Sequence, residues 1–452
     1  MTSSRSQSRK SSPASIRTPP GRRSFVQTFG TSLGLQGFTI LTGVLVARVL
    51  GPDGRGVFAA AQIWPMIIAG LFFFGSNQAL SLRAADHRSE RGALYGAALG
   101  LGCGFSVAAL LVGVLTIPLL LENPEVRSAA LLFLPQIPLF IFVSLLVSVD
   151  VGLGDFGRYN LSRWALGTTN LAAVLLLVLA GVDEPRAFIL AILAANGACL
   201  VVLLFQVPWS TVRLYSSHVK VLFEGGRFYA ATITLLLRDQ VERLFLLYAM
   251  SIEDLGQYVV AFSAAFLPSV LAKSLGLIVF SRSAIIGQSG AYEDVGRLFR
   301  LLVTLNLIIA ACSAAVLPFL IPFIYGPEFV TAGQIALVLV LAQIAISAFS
   351  VLDEGLRGQN RAHLGAGAIL LMLATFLATA FPLANAFGAV GVAAAAVMGH
   401  TVALLFLVVM FKRTAPAVYL LPQKEDLQEL AAIARIYGGK LGMLRGLLSR
   451  LP

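Results

Sequence analysis

The chain has 452 residues, 58% of them hydrophobic and 12% charged, with a formal net charge of +11 and a mean hydropathy of +0.85. Soluble domains carry about twice that charged fraction, roughly 25%, so the composition excludes a water-soluble globular domain and requires an integral membrane protein. The three cysteines, Cys103, Cys199 and Cys312, sit singly inside apolar runs with no CxxC pair or neighbouring His, which excludes a disulfide framework and suggests no metal site.

In chain order, residues 1–24 are rich in Ser, Arg and Pro and contain no acid. They read as a disordered basic cytoplasmic tail, since Pro13, Pro19 and Pro20 disfavour the helix of an organelle presequence. Runs free of Asp, Glu, Lys and Arg then follow at 24–47, 56–82, 92–121, 128–149, 164–182 and 187–212. Each is near or above the roughly 20 residues that a helix needs to cross a bilayer, which makes six spans and an N-lobe over 25–206. A short basic linker, 207–220, leads to a seventh span at 220–250 that carries charges inside an otherwise apolar segment. Uncharged runs at 255–272, 301–327 and 329–352 supply three more. The run 362–411 is too long for one crossing, and Pro382 with the Asn385–Gly388 turn signal divides it into the last two. The C-lobe is therefore 221–411, followed by a cytoplasmic tail, 412–452. In that tail Leu441, Leu444, Leu447, Leu448 and Leu451 alternate with Lys440, Arg445 and Arg450, the spacing of a basic amphipathic helix on a membrane surface; a frayed polar tail is the alternative.

Lys and Arg accumulate in cytoplasmic loops. With both termini inside, 25 of the 33 basic residues fall on the cytoplasmic face and four on the outer face, so the termini are expected in the cytoplasm. That distribution makes the positive charge a signal of topology and argues against nucleic acid as a partner. Internal matches suggest that twelve helices divide into six and six: Gly56-Val-Phe58 with Gly256-Gln-Tyr258 at an offset of 200, and Pro124-Glu125 with Pro327-Glu328 at 203. The segment 153–158 likewise matches 356–361, again at 203. Six is even, so the halves enter the membrane with the same polarity, as a parallel repeat about the membrane normal. The predicted fold is an all-α polytopic membrane protein of about twelve transmembrane helices in two six-helix lobes.

Several of these segments resemble the polysaccharide flippase (Wzx-type) branch of the multidrug/oligosaccharidyl-lipid/polysaccharide exporter superfamily. Residues 47–58, reading ARVLGPDGRGVF, are similar to the family's opening pattern. Leu236-Leu-Arg-Asp-Gln240 with Leu255-Gly-Gln-Tyr258 resembles the family's charged seventh helix and its return, although Arg238 and Asp239 are adjacent where the family more often spaces them. The stretch 320–329 and the turn at Leu356-Arg-Gly358 with Arg361 resemble the exits of the ninth and tenth helices. The resemblance spans nearly the whole chain. It implies a MATE-like two-lobed transporter in the inner cell membrane of a bacterium, moving polyprenyl-diphosphate-linked oligosaccharide from inner to outer leaflet by alternating access. Exopolysaccharide, capsule or O-antigen assembly would be its setting, with a polysaccharide polymerase and glycosyltransferases as partners besides the bilayer and the lipid-linked glycan.

Charges within the spans are the candidate site, because an ionisable group at mid-bilayer depth costs at least roughly 2.5 kcal/mol. Arg238 and Glu242, and Asp239 and Arg243, are each four apart and able to pair along one helix, or else to face a water-filled cavity. Arg48, Arg227, Arg238, Arg243 and Lys273 are candidate cations for a diphosphate, Lys273 foremost because no acid lies within four residues of it. Asp239, Glu242 and Asp150 are candidates for coupling or ion pairing, Asp150 more simply as a surface pair with Arg158. His400, the one His deep in a span, reads as polar helix packing in preference to a proton relay. No catalytic constellation can be assembled on an aqueous face, so no enzyme activity and no cofactor are expected, with ion or proton coupling left open. A MATE-like drug/cation antiporter and a non-transporting scaffold of a polysaccharide assembly complex are the competing readings.

Overall fold

The computed structural model describes residues 22–213, 217–266, 288–359 and 361–431. The expectations for residues 1–21, for Lys273 and for the amphipathic stretch 440–451 therefore lie outside the described residues. The described chain is helical throughout its spans, and no strand occurs among the described residues.

Helix α1 (Arg22–Leu71) joins the first two predicted spans through a break at Gly51, whose φ of 64° and ψ of −177° lie where side chains are strongly disfavoured. Pro52 follows and supplies no N–H to a helical ladder, so the chain turns here and resumes as a second arm. Helix α2 (Ser76–Asp86) continues that arm, and α3 (Arg91–Leu120) returns. Helix α4 (Pro124–Leu132) starts on Asn123, whose side chain accepts from the N–H groups of Glu125 and Val126. Helices α5 (Gln136–Leu153), α6 (Phe156–Leu179) and α7 (Pro185–Phe205) complete the first half. The linker is tucked in as a turn at Trp209–Thr211. There the glycines of α3 admit its backbone, since a Cβ on Gly92 would lie 2.0 Å from the Thr211 carbonyl oxygen.

The second half runs through α8 (Ser217–Ala249), α9 (Ile252–Ala265), α10 (Gln288–Tyr325), α11 (Val330–Gly358) and α12 (Ala362–Thr414). A capping box between Ser251 and Asp254 separates α8 from α9. Helix α12 is two arms broken at Gly388, with φ 59°. Pro382, expected to share that break, stays inside the helix, because the turn requires a positive φ that glycine alone adopts cheaply.

Eight helical segments among the described residues are long and apolar enough to cross a membrane, including both broken helices. Large apolar side chains point outward along them, Leu119 at 82% and Phe205 at 84% exposure, as lipid contact permits and water does not. The chain is an all-α polytopic membrane protein.

Among the described residues the halves correspond at their turns. The turn at Gly51 has its counterpart in Ser251, and the Gly181 turn between α6 and α7 in Gly388. They meet where α1 packs on α9 and where α2 and α3 pack on α8. A Cβ on Gly56 would lie 1.9 Å from the Ile252 carbonyl oxygen, and a Cβ on Gly256 would lie 2.0 Å from that of Pro52. The two contacts exchange into each other under the 200-residue offset, as an isologous contact does at a two-fold axis. This crossing lies at the end that the charge distribution assigns to the outer face. Toward the opposite end Arg83 of α2 grips Glu224 of α8 through two hydrogen bonds of 3.0 Å.

Candidate functional site

Four charged residues of α8 bring a cavity of about 330 Å³ into the C-terminal half, between α8, α9, α11 and α12. Arg238, Asp239, Glu242 and Arg243 all line it, together with Tyr258 of α9 and His400 of α12. The pairing along α8 differs from the expected four-residue spacing. Arg238 bends back on its neighbour Asp239, with Nη2 2.8 Å from Oδ1, where Asp239 is 59% exposed and its charge cheaply solvated. Glu242 is 8% exposed and takes its partners from other helices instead. The Tyr258 hydroxyl donates to its Oε2 at 2.6 Å, and His400 Nε2 lies 3.3 Å from its Oε1. A buried carboxylate needs such partners to offset its desolvation, and α9 and α12 supply them because they enclose it. His400 is thus a member of a titratable cluster, beyond the helix packing that its sequence context suggests.

Each residue of the Leu255–Tyr258 motif acquires a distinct task. Leu255 is buried and Gly256 admits α1. The Gln257 amide donates to the Glu328 carbonyl at 2.7 Å and accepts from the Ala332 N–H at 3.0 Å, which fixes α9 to α11. Tyr258 holds Glu242. Arg243, one step along α8, lies with its guanidinium 5.9 Å from the centre of the Phe262 ring.

Arg55 is, with Arg48, Arg127 and Arg186, one of the four basic residues that the charge count places on the outer face. It lies just past the Gly51 break, folded inward over Phe58 at 5.3 Å. Its Nε is buried without a hydrogen-bond partner. Arg55 lines a cavity of the N-terminal half and Arg243 that of the C-terminal half. The sequence signal that pointed to Arg55 was its place in the ARVLGPDGRGVF segment, outweighed there by the count of loop charges.

The remaining candidates scatter. Arg48 and Arg227 are exposed and line neither this cavity nor the one in the N-terminal half. Lys273 lies outside the described residues. Asp150, expected at the surface, is 2% exposed, because α3 covers the end of α5 and the Tyr95 hydroxyl donates to its carboxylate. Arg158 reaches the same hydroxyl oxygen at 3.2 Å, so Arg158 and Asp150 are joined through Tyr95. Asp353, which the 203-residue offset maps onto Asp150, is likewise buried at 5% exposure and bonded to Arg357 at 2.9 Å. Asp150 is thereby tied to α3, whereas Asp353 pairs within α11. Among the described residues no group of three or more His, Cys, Asp or Glu is placed to hold a metal ion.

No protein-family model and no curated protein sequence matches the chain. Solved structures do. A multidrug resistance MATE family transporter of the MOP superfamily, in an inward-facing conformation, superposes with a TM-score of 0.67 at 11% identity, over 86% of this chain and 98% of that one. The lipid II flippase MurJ, in an inward closed conformation, gives 0.69 at 12% identity over 95% and 93%. A MOP superfamily transporter from Pyrococcus furiosus, described by the reversed polarity of its binding pocket, gives 0.58 at 12% identity over 89% and 97%. The chain thus has the fold of these transporters, over 86% to 95% of its length.

Proposed function

We propose that the chain is a transporter that moves a polyprenyl-diphosphate-linked oligosaccharide from the inner to the outer leaflet of a bacterial inner membrane by alternating access. The observation that carries this reading is that each half turns a guanidinium into its interior, Arg55, whose Nε is buried, in the N-terminal half and Arg243 in the cavity of the C-terminal half. A guanidinium at low dielectric binds an anion more strongly than it does in bulk water. A diphosphate suits both, since each guanidinium offers a planar fork of N–H donors. Relative movement of the halves would change the spacing of the two cations and so release the anion on the other side. Arg238, with Asp239, stands at the rim of the same cavity, while Arg48, Arg227 and Lys273 are left as contacts along the path. Glu242 with His400 and Tyr258 is suited to exchange a proton as the coupling step, with Asp239 and Asp150 in supporting ion pairs. A polymerase and glycosyltransferases are the partners this reading brings.

The drug/cation antiporter reading draws on the Glu242 carboxylate, but a cationic drug would have to approach Arg243 and Arg55. The test is leaflet exchange of undecaprenyl-diphosphate-linked sugar in proteoliposomes. Arg55→Ala and Arg243→Ala are each expected to slow exchange at least about tenfold, equivalent to roughly 1.4 kcal/mol, with normal insertion and folding. Wild-type rates in both variants, or efflux of cationic dyes with no exchange of the lipid, would overturn the proposal.

A further inference from the structure

After α12 the chain continues as an irregular strap, 415–423, and a short helix, 424–431. One face of this segment is bound to α10. Val418 seats over Gly296, where a Cβ would lie 2.2 Å from its Cγ1. Arg300 donates to the Tyr419 carbonyl at 2.8 Å and pairs with Asp426 at 3.3 Å. That carboxylate also accepts from the Gln423 N–H at 2.7 Å, and Arg297 pairs with Glu429. Lys412 holds the start of the strap, donating to the Pro416 and Val418 carbonyls at 2.8 and 2.9 Å.

The opposite face is exposed. In the strap, buried Val418 and Leu420 alternate with Tyr419 at 50% and Leu421 at 65% exposure, the alternation of extended chain. In the helix, Asp426, Glu429 and Leu430 turn toward the protein, while Lys424, Leu427, Gln428 and Ala431 are exposed, the spacing of a single helical face. Apolar side chains gathered on the outer face of a segment held by its inner face mark a contact surface.

Position and charge identify what that surface meets. Leu405 and Val409, 56% and 47% exposed, lie on the lipid-facing side of the last arm of α12. One turn further along the same stripe stands Arg413, exposed, and the strap begins two residues later. The segment thus leaves the helix where acyl chains give way to headgroups, on the face that the charge distribution assigns to the cytoplasm. Arg413 and Lys424 flank the exposed apolar residues of the strap. Two acids of the helix, Asp426 and Glu429, are taken up by the arginines of α10, and Glu425 stands at the side of the exposed face by helical spacing. The first half ends in the same way. Its linker crosses α3 at Gly92, 204 residues before Gly296, and turns Trp209 outward at 56% exposure. Tyr and Trp are the residues favoured at a membrane–water interface.

We infer that the outer face of residues 419–431 docks on an anionic lipid surface, that of the inner leaflet. Tyr419, Leu421 and Leu427 enter the headgroup layer, and Arg413 and Lys424 meet lipid phosphates. Because the inner face of the same segment holds Arg297 and Arg300, docking ties the end of α10 to the membrane surface. The inference is independent of the substrate transported.

The test uses the full-length chain carrying Cys103→Ala, Cys199→Ala and Cys312→Ala, with one fluorophore attached through Leu421→Cys, through Leu427→Cys or, as a control between α2 and α3, through Glu90→Cys. It is reconstituted in vesicles of phosphatidylcholine, alone or with phosphatidylglycerol as about one lipid in four. In the mixed vesicles, labels at 421 and 427 are expected to be quenched by lipid spin-labelled near the headgroup. They should also be shielded from iodide at least about fivefold relative to 90. Arg413→Gln and Lys424→Gln should each lower the docked-to-free ratio about fivefold, as should omission of phosphatidylglycerol. Iodide quenching at 421 and 427 equal to that at 90 places the face in water and overturns the docking. Shielding from both quenchers would mean cover by protein, a second copy included, and overturns it as well. Shielding indifferent to phosphatidylglycerol and to both charge variants overturns the anionic partner.

Discussion

Glu242 carries two partners that come from 16 and 158 residues away in sequence. A carboxylate so enclosed, with an imidazole at one oxygen and a phenol at the other, can hold or release one proton with little rearrangement of its neighbours. Glu242→Gln preserves the shape and hydrogen-bonding capacity of the side chain while removing its titration. Exchange in proteoliposomes under an imposed pH gradient is expected to lose its dependence on that gradient in this variant, and an undiminished dependence would remove Glu242 from the coupling step. Charges on one helix made Glu242 conspicuous in the sequence. Tyr258 stood in a motif without a stated task, and His400 was surrounded by Met398-Gly399 and Thr401, a setting of ordinary helix packing. No spacing along the chain can relate α8 to α12, because their contact is made by folding alone. Arg55 shows the same limit from the other side: its sequence position beside a turn is that of a loop residue, and only the backbone angles at Gly51 send it inward.

At the scale of elements, glycine placement decides where spans bend and where they touch. An alanine at Gly51 would have to adopt φ 64°, a strain of about 1–3 kcal/mol. Gly37 lies in the same helix with open space around a notional Cβ, where alanine gains about 0.5–1 kcal/mol of backbone entropy. Gly51→Ala should therefore lower the thermal unfolding midpoint in detergent and Gly37→Ala should hold or raise it; the opposite order would show that the break is not set by glycine. The crossing at Gly56 and Gly256 yields a separate prediction. Gly56→Ala and Gly256→Ala both place a methyl group against a backbone carbonyl of the other half, at 1.9 and 2.0 Å before relaxation. Backbone cannot swing aside as a side-chain tip does, so the arms must separate. Both variants should raise thiol-reagent labelling of a cysteine introduced in the second arm of α1 facing α9, and to a similar degree because the contacts are equivalent. Unchanged labelling in both would mean that the crossing does not seal this end. Both glycines were visible in the sequence as a repeated pair, whereas their mutual contact was not.

For the whole molecule, the seam between halves is held at one end by these glycines and toward the other by Arg83 and Glu224, whose side chains are 21% and 35% exposed. A half-exposed pair contributes on the order of 1 kcal/mol or less, which suits a contact that must open and close. Reversing one charge, Glu224→Arg, should weaken the seam and increase labelling of a cysteine placed beside it, and the exchanged pair Arg83→Glu with Glu224→Arg should restore wild-type labelling. Failure of the exchanged pair to restore it would assign the effect to packing around Gly75 and Gly225. Hydropathy and charge suffice for the class, the span count and the expected topology, because a bilayer imposes span length and loop charge on each segment separately. The repeat was also legible, since duplicated segments keep their order and spacing; it even specifies Asp353 once Asp150 is chosen. Which charges meet is a different kind of fact. Glu242 with Tyr258 and His400, and Arg83 with Glu224, depend on how helices distant in sequence are rotated and bent against one another. That rotation is set by packing over the entire interior, so tertiary structure alone decides it.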